Sequence, residues 1–490
     1  MGSNAKRLLW LLLAASALLR FTLALRGGQR FFPDENRYLR SHQWLQQLEG
    51  RGWGAGLDHL LATPDHVGFT LVAAVPALLQ RALIASSGLP QDRAAVDATA
   101  WLPAAVLSLA SLAAIALVHA IARRSGADAS EALLAAALMA GSTSMLYYSR
   151  HLLPYDSALA LALAAALLGL RDGGGWARSG GVGALAGGAF LTYHGYWLSA
   201  LAALALHAFH GSRAPRDVVR RAAAAGVGFA LVPAALTAAS YARERGLYLV
   251  KISKFSRLAS TQTDFGEAAQ LPWAYLWRTE HALLALWAVG AFLVVRGALR
   301  RDLAARRGLR WLAVAAGMYL LTLVLSSGLE RVGVFGRQVR QLVPFLCLAT
   351  AAGLAPWRAS LRCSRPLFAA ALAAQAIWNI APALRQRFPR ELARQLTREY
   401  GELARDTTVQ VDADPEEKPV ANARYVLLNA RFLYPVAGSK DPPPGTTLFE
   451  TAHPLEYAPY QYEGFLPAER HLLRTSGIAM RLVDTHSGRR

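Results

Sequence analysis

Apolar runs of roughly 17–25 residues, each long enough to cross a bilayer as a helix, recur along most of this chain. They begin near Leu8, Ala98, Glu131, Tyr155, Gly180, Val218, His281, Arg310, Val339 and Pro366, with a shorter run after Tyr196. In lipid only a helix or a closed barrel satisfies its own backbone. The pattern therefore predicts an all-α polytopic membrane bundle of about 11 transmembrane helices. Of the 490 residues, 54% are hydrophobic and 17% charged, against about 25% charged in soluble domains. A disordered chain, a coiled coil and a small disulfide scaffold are excluded. Two cysteines, Cys347 and Cys363, supply neither a disulfide framework nor a zinc site. No internal repeat is visible, so an inverted-repeat transporter is not supported.

Basic residues outnumber acidic ones by 52 to 32, a net charge of +20, and only five of the 52 are lysine. Part of that arginine excess is compositional, in an Ala/Leu-rich chain. The rest orients the bundle. With a cytoplasmic N-terminus and a non-crossing Val67–Ala85 run, the clusters Arg123/Arg124, Arg171/Arg178, Arg213–Arg221, Arg296–Arg310 and Arg358–Arg365 all fall inside, as the positive-inside rule requires. If Val67–Ala85 crossed, Arg296–Arg310 would lie outside. The run also contains Pro76 and Arg81, and it reads as a juxtamembrane helix. The first span reads as uncleaved, since its apolar stretch continues past Arg20 to Leu25. The expectation is an integral protein of a bacterial plasma membrane. Residues 1–383 form its transmembrane module, with external loops at 26–98, 149–154, 241–279 and 328–338. A small extracytoplasmic α/β domain, residues 384–490, carries a strand-like Tyr425–Leu428 and a Pro442–Pro444 run. Membrane lipids are expected as partners, and nucleic acid is not.

Chemistry-bearing residues gather in the external loops. The first loop opens with Phe32-Pro33-Asp34-Glu35-Asn36-Arg37-Tyr38. Proline followed by acidic residues suits a helix N-terminus, and it suits equally a pair of reactive carboxylates. Adjacent residues on a helix point about 100° apart, so at most one of the two faces a substrate. Downstream lie Thr63-Pro64-Asp65-His66-Val67-Gly68-Phe69, Ser149-Arg150-His151-Leu152-Leu153-Pro154-Tyr155-Asp156, and Arg337-Gln338-Val339-Arg340-Gln341-Leu342-Val343-Pro344.

These four segments, in this order and on one side of the membrane, resemble the GT-C glycosyltransferases. The nearest branch is that of protein O-mannosyltransferases and lipid A aminoarabinose transferases. Pro-Asp-Glu-x-x-Tyr resembles the family's Asp-Glu signature. Pro64-Asp65-His66 departs from its His-Pro-Pro element, Trp101 stands where an arginine is common, and Gln341 replaces the tyrosine of its late Arg-Tyr element. The resemblance covers roughly residues 1–383. It implies an enzyme that moves a sugar, with inversion, from a polyprenyl-phosphate donor to a lipid, glycan or protein acceptor on the extracytoplasmic face. A hydroxyl nucleophile needs a base within about 3 Å, and a phosphate leaving group needs cations where charge develops. Asp34 is the expected base. Glu35 orients Arg37 or the loop, and Asp156 positions the sugar or completes a cation site. His66, Arg150, Lys251, Lys254, Arg337 and Arg340 are the expected substrate-binding residues.

Each assignment has a structural alternative. Asp156 reads equally as a membrane-interface cap, and Arg337 and Arg340, at i and i+3, as interface anchors. The Lys251/Lys254/Arg257 stretch reads as an interfacial amphipathic helix. His194 reads as a hydrogen-bonded interface residue, and the tail tyrosines 457, 460 and 462 as core of a small domain. No cofactor is expected. A divalent cation is used in some GT-C branches, but no ligand spacing supports a tight site, so no obligatory metal is expected. Two functional alternatives remain, a lipid-linked-sugar transporter or flippase and a non-catalytic GT-C paralogue. A flippase calls for ionisable residues along its spans, where Arg20 is the main charge.

Overall fold

The structure, a computed structural model, describes residues 3–29, 33–62, 66–89, 93–171, 175–211, 214–261, 269–360, 377–378, 380–381 and 383–385, and four strands beyond them. Helix α1 (Ser3–Leu25) is followed by a 3-10 turn, Pro33–Tyr38, then α2 (Leu39–Ala62), α3 (Val67–Val72), α4 (Ala74–Ser86) and α5 (Arg93–Ala98). Next come α6 (Trp101–Arg124), α7 (Ala129–Ala140), α8 (Thr143–Tyr148), α9 (Tyr155–Gly169), α10 (Trp176–Thr192), α11 (Trp197–Ala208) and α12 (Pro215–Ala242). The last are α13 (Tyr248–Thr261), α14 (Leu271–Glu280), α15 (Ala282–Leu299), α16 (Leu303–Leu323), α17 (Gly336–Val339) and α18 (Val343–Ser360).

Six of the described helical stretches are long and apolar enough to cross a membrane: Asn4–Leu25, Trp101–Arg124, Pro215–Ala242, Ala282–Leu299, Leu303–Gly328 and Gly336–Pro356. Their outward faces are apolar, with Leu18, Leu231 and Phe292 all exposed, a surface suited to lipid and costly in water. The chain is thus an α-helical membrane protein. Its largest core lies where α6, α7, α9, α10, α11 and α18 meet, around Val118, Leu138, Leu159, Val182, Leu206 and Leu348.

Small residues set the closest approaches, as expected where lipid offers no hydrophobic drive to association. A Cβ on Gly183 of α10 would sit 2.6 Å from the Phe229 amide and closer still to the Ala225 carbonyl, both on α12. Gly290 of α15 meets the backbone of Thr350 on α18 in the same way, at 2.6 Å. Gly183→Ala should therefore push α10 from α12 and destabilise the fold by about 1–3 kcal/mol. Gly226→Ala, which enters open space, should be neutral or slightly stabilising. Thermal unfolding in detergent compares the two, and equal stabilities would refute the close-packing account.

Two apolar runs differ from simple spans. The Glu131 run breaks between α7 and α8. The Glu280 carboxylate, at the end of α14, accepts hydrogen bonds there from the Thr143 amide (3.0 Å), the Ser144 amide (3.1 Å) and the Ser142 and Ser144 hydroxyls (2.8 and 2.6 Å). An anion at the first amides of α8 satisfies donors that a continuous helix would have used internally. The Val67–Ala85 run divides at Ala73 into helices of 6 and 13 residues. At 1.5 Å per residue the longer reaches about 20 Å, short of a bilayer core of about 30 Å. Most of the Pro366 run, 366–376 included, lies outside the described residues. In the tail, β1 (Thr407–Thr408), β2 (Tyr425–Leu428), β3 (Thr446–His453) and β4 (Ile478–Asp484) form a sheet of order β1-β2-β4-β3. Strands β1 and β2 are parallel and the other pairs antiparallel. Tyrosines 457, 460 and 462 lie outside the described residues.

Candidate functional site

The 3-10 turn that follows α1 aims the two neighbouring carboxylates at different partners. Asp34 Oδ1 lies 3.0 Å from Arg37 Nη2, an i, i+3 pair within the turn. Its Oδ2 accepts a hydrogen bond from the Tyr155 hydroxyl at 3.2 Å and lies 3.8 Å from Arg337 Nη1. Arg337 also donates through Nε to the Tyr193 hydroxyl at 2.6 Å. Burial raises the affinity of Asp34 for a proton, but Arg37, Arg337 and the Tyr155 hydroxyl outweigh it and hold the carboxyl below its usual range. The Asp34 side chain keeps 24% of its surface exposed, so an incoming group can reach it.

Glu35 is fully buried. Its Oε1 accepts from the Leu152 amide at 2.7 Å, and its Oε2 lies 3.4 Å from His151 Nδ1. Burial holds His151 below its ordinary value, against the pull of Glu35. Glu35 thus ties the first-loop turn to the 149–154 segment. Arg150, expected to bind substrate, spends its guanidinium on backbone. Its Nε and Nη2 donate to the Gly27 carbonyl (2.8 and 2.6 Å), and its Nη1 donates to the Ala383 carbonyl (3.2 Å). Gly27 and Gly28, at φ 88° and 100°, make the turn out of α1 that presents this carbonyl; a Cβ would strain both.

A second carboxylate lies one residue from Tyr155. Asp156, in the first turn of α9, is paired through Oδ1 with Arg340 Nη2. Arg340 is fully buried where α17 passes into α18. Its Nη2 also contacts Met145 Sδ at 3.1 Å, and its guanidinium stacks over the Tyr148 ring at 4.6 Å. The i, i+3 spacing of Arg337 and Arg340 therefore serves two carboxylates, one arginine each. Gln341 anchors this turn by accepting from the Ser199 amide at 3.0 Å and donating to the Gly195 carbonyl at 2.9 Å.

His66 borders the Asp34 cluster. It is buried, adopts φ 59°, and packs its ring 5.0 Å from both Tyr193 and His194. Burial first, then the nearby Arg37, His194, Arg40 and Arg337, drive its pKa well below the ordinary value, so the ring is neutral. The rest of its element, residues 63–65, lies outside the described residues. The two lysines take no part in either cluster. Lys251 Nζ donates to the Leu61 carbonyl at 3.0 Å, near the end of α2, and Lys254 is exposed on α13. The Arg257 side chain lies outside the described residues.

Sequence reasoning did not single out Tyr155 or Tyr193, which orient Asp34 and Arg337. The i, i+3 spacing of Asp34 and Arg37 could have revealed their pairing, but no local signal links Arg337 to Tyr193. Among the described residues no group of three or more His, Cys, Asp or Glu gathers in a metal-holding arrangement. A cation beside Asp34 or Asp156 would face arginines. No family model and no curated protein matches the chain.

Proposed function

We propose that this protein is an inverting glycosyltransferase that moves a sugar from a polyprenyl-phosphate donor to an acceptor hydroxyl at the extracytoplasmic face. The observation that carries the reading is a reachable carboxylate, Asp34, clamped between two guanidiniums and a tyrosine hydroxyl. Such a set supplies both halves of the chemistry. The acceptor oxygen attacks the anomeric carbon while its proton passes to Asp34. The bond from that carbon to the phosphate oxygen breaks, and its electron pair leaves with the phosphate. Arg37 and Arg337 then stabilise the charge that develops there. Arginine suits this task because its planar fork meets phosphate oxygens two at a time.

The same clamp gives the resting protein a poor base, since a carboxylate held by arginines gives up little of its charge to an incoming proton. A donor phosphate that draws Arg37 and Arg337 to itself loosens their hold on Asp34. Base strength thus rises when donor is bound. Glu35 and Arg150 hold the loops that carry these groups. About 11 spans, a cytoplasmic N-terminus and an external domain over residues 384–490 complete the proposal.

Transfer of radiolabelled sugar from a polyprenyl-phosphate donor by the purified protein tests it. Binding of such donors with no transfer from any of them would favour the transporter or the non-catalytic reading. One observation lends the transporter weight, the burial of Arg20 within α1. Orientation has its own test. In a background lacking Cys347 and Cys363, a cysteine at Ser86 or Gly88 should react with an impermeant reagent added outside intact cells. Labelling only after permeabilisation would overturn this topology and shift every loop after Val67–Ala85 to the opposite side.

A further inference from the structure

Helix α14 takes no part in the proposed reaction, and its surface is two-faced. Leu271, Tyr275, Leu276, Thr279 and Glu280 are buried. Trp273 and Trp277, four residues apart and so on one side of the helix, are 55% and 66% exposed. With 10 residues, α14 is about 15 Å long, half of the roughly 30 Å that a span must cover. Nor does it simply lengthen the span that follows. His281, a non-glycine residue at φ 38° and ψ −110°, separates it from α15, and such a backbone breaks the helical path. The exposed face adjoins lipid-facing surface. Trp273 Nε1 donates to the Tyr319 hydroxyl at 2.9 Å, and that hydroxyl donates to the Ala269 carbonyl at 3.0 Å. Tyr319 lies on α16, next to the exposed Leu320 and Leu321. A third tryptophan, Trp378, is 64% exposed, and its ring centroid lies 5.9 Å from that of His281.

We propose that α14 is a membrane-surface helix, lying along one leaflet with Trp273, Trp277 and Trp378 at the level of the lipid headgroups. Indole rings favour that level because they join a large apolar face to one N–H that needs a polar partner. Trp273 has such a partner in Tyr319. The exposed Arg278, next to Trp277 in sequence, offers a cation to lipid phosphate. Aromatic faces also suit a glycan, but the continuity of this patch with the exposed apolar side of α16 favours lipid. The anchor reaches the interior through Glu280. That residue ends α14 and holds the start of α8 by hydrogen bonds, and α8 carries Tyr148 against Arg340. The depth of α14 in the lipid therefore sets the level of α8. None of this rests on the transferase reading, since a transporter would use the same anchor.

Spin labels test the placement in the full-length protein, reconstituted in phosphatidylcholine–phosphatidylglycerol vesicles. A single cysteine replaces Trp273, Trp277 or, as a reference on the exposed side of α15, Phe292, in a background lacking Cys347 and Cys363. Collisions with oxygen report lipid, and collisions with a water-soluble nickel chelate report water. Labels at 273 and 277 should meet both reagents, with oxygen less favoured than at 292. They should also report the same depth, because a helix lying flat keeps these two positions level. A depth difference of about 6 Å, the rise over four residues, would stand the helix upright and overturn the proposal. Nickel contact alone would leave the face in water, open to a glycan. Contact with neither reagent would mean that a protein surface covers it. Either result overturns the proposal. Should the cysteine-free background fail to fold, tryptophan emission of the natural sequence carries the test. Trp277→Phe with Trp378→Phe should remove emission that lipids brominated near the headgroup quench more strongly than lipids brominated near the chain ends. Emission lost on substitution that neither lipid quenches would place these indoles outside the bilayer and overturn the anchor, whatever the transfer assay finds.

Discussion

Asp34→Asn is expected to lower sugar transfer by about 10²–10⁴-fold, the usual loss when a general base is removed, while donor binding survives or tightens. The substitution keeps the shape of the side chain and removes its charge. Arg37 and Arg337 then lose a carboxylate that competes with the donor phosphate for them. A catalytic group that merely held the loop would lower donor affinity along with rate; the split between the two quantities is therefore the decisive observation. Glu35→Gln should cost much less rate, because that carboxylate is turned toward the Leu152 amide and His151. The pH profile adds a signed check. Asp34 works only when deprotonated, and in the free protein it is held below the usual carboxyl range. Activity should fall on the acid side only below that range. Replacing Arg337 with Gln removes one cause of the depression and should move the acid limb of kcat/KM upward in pH. An unmoved limb, or full activity in Asp34→Asn, would take the base role from Asp34 and leave Asp156 to be tested.

Helix content was legible because lipid imposes it. Long apolar runs have one stable backbone solution there, and α1, α6, α12, α15 and α16 follow directly from such runs. The break between α7 and α8 was not legible, since its cause is Glu280, more than a hundred positions away in sequence and joined to it only by folding. The same holds at the site. Asp34 and Arg37 are three residues apart and carry their own pairing signal. Arg337 reaches Asp34, Arg340 reaches Asp156, and Arg150 reaches Gly27 only because helices far apart in sequence pack side by side. Composition also misleads about arginine. In a chain with this many, a buried Arg20 looks like background until its neighbours are known.

Breaking the Arg340–Asp156 pair should be the largest single loss of stability in the bundle. Both side chains are withdrawn from water, with Arg340 fully buried, and they pair directly. Removing one member of such a pair typically costs about 3–5 kcal/mol, because the other is left as an uncompensated interior charge. The two halves are not equivalent here. Arg340→Met leaves Asp156 with Arg20 as its remaining counter-charge. Asp156→Asn leaves Arg340 without its carboxylate and removes the attraction on Arg20 as well. Asp156→Asn should therefore cost more than Arg340→Met, and adding Arg20→Met to Asp156→Asn should recover part of the loss. A double-mutant cycle on equilibrium unfolding of the purified protein measures this, and residues that share one charge network should couple by about 0.5–3 kcal/mol. Additive effects, or equal costs for the two single changes, would mean that Arg20 does not share the Asp156 charge.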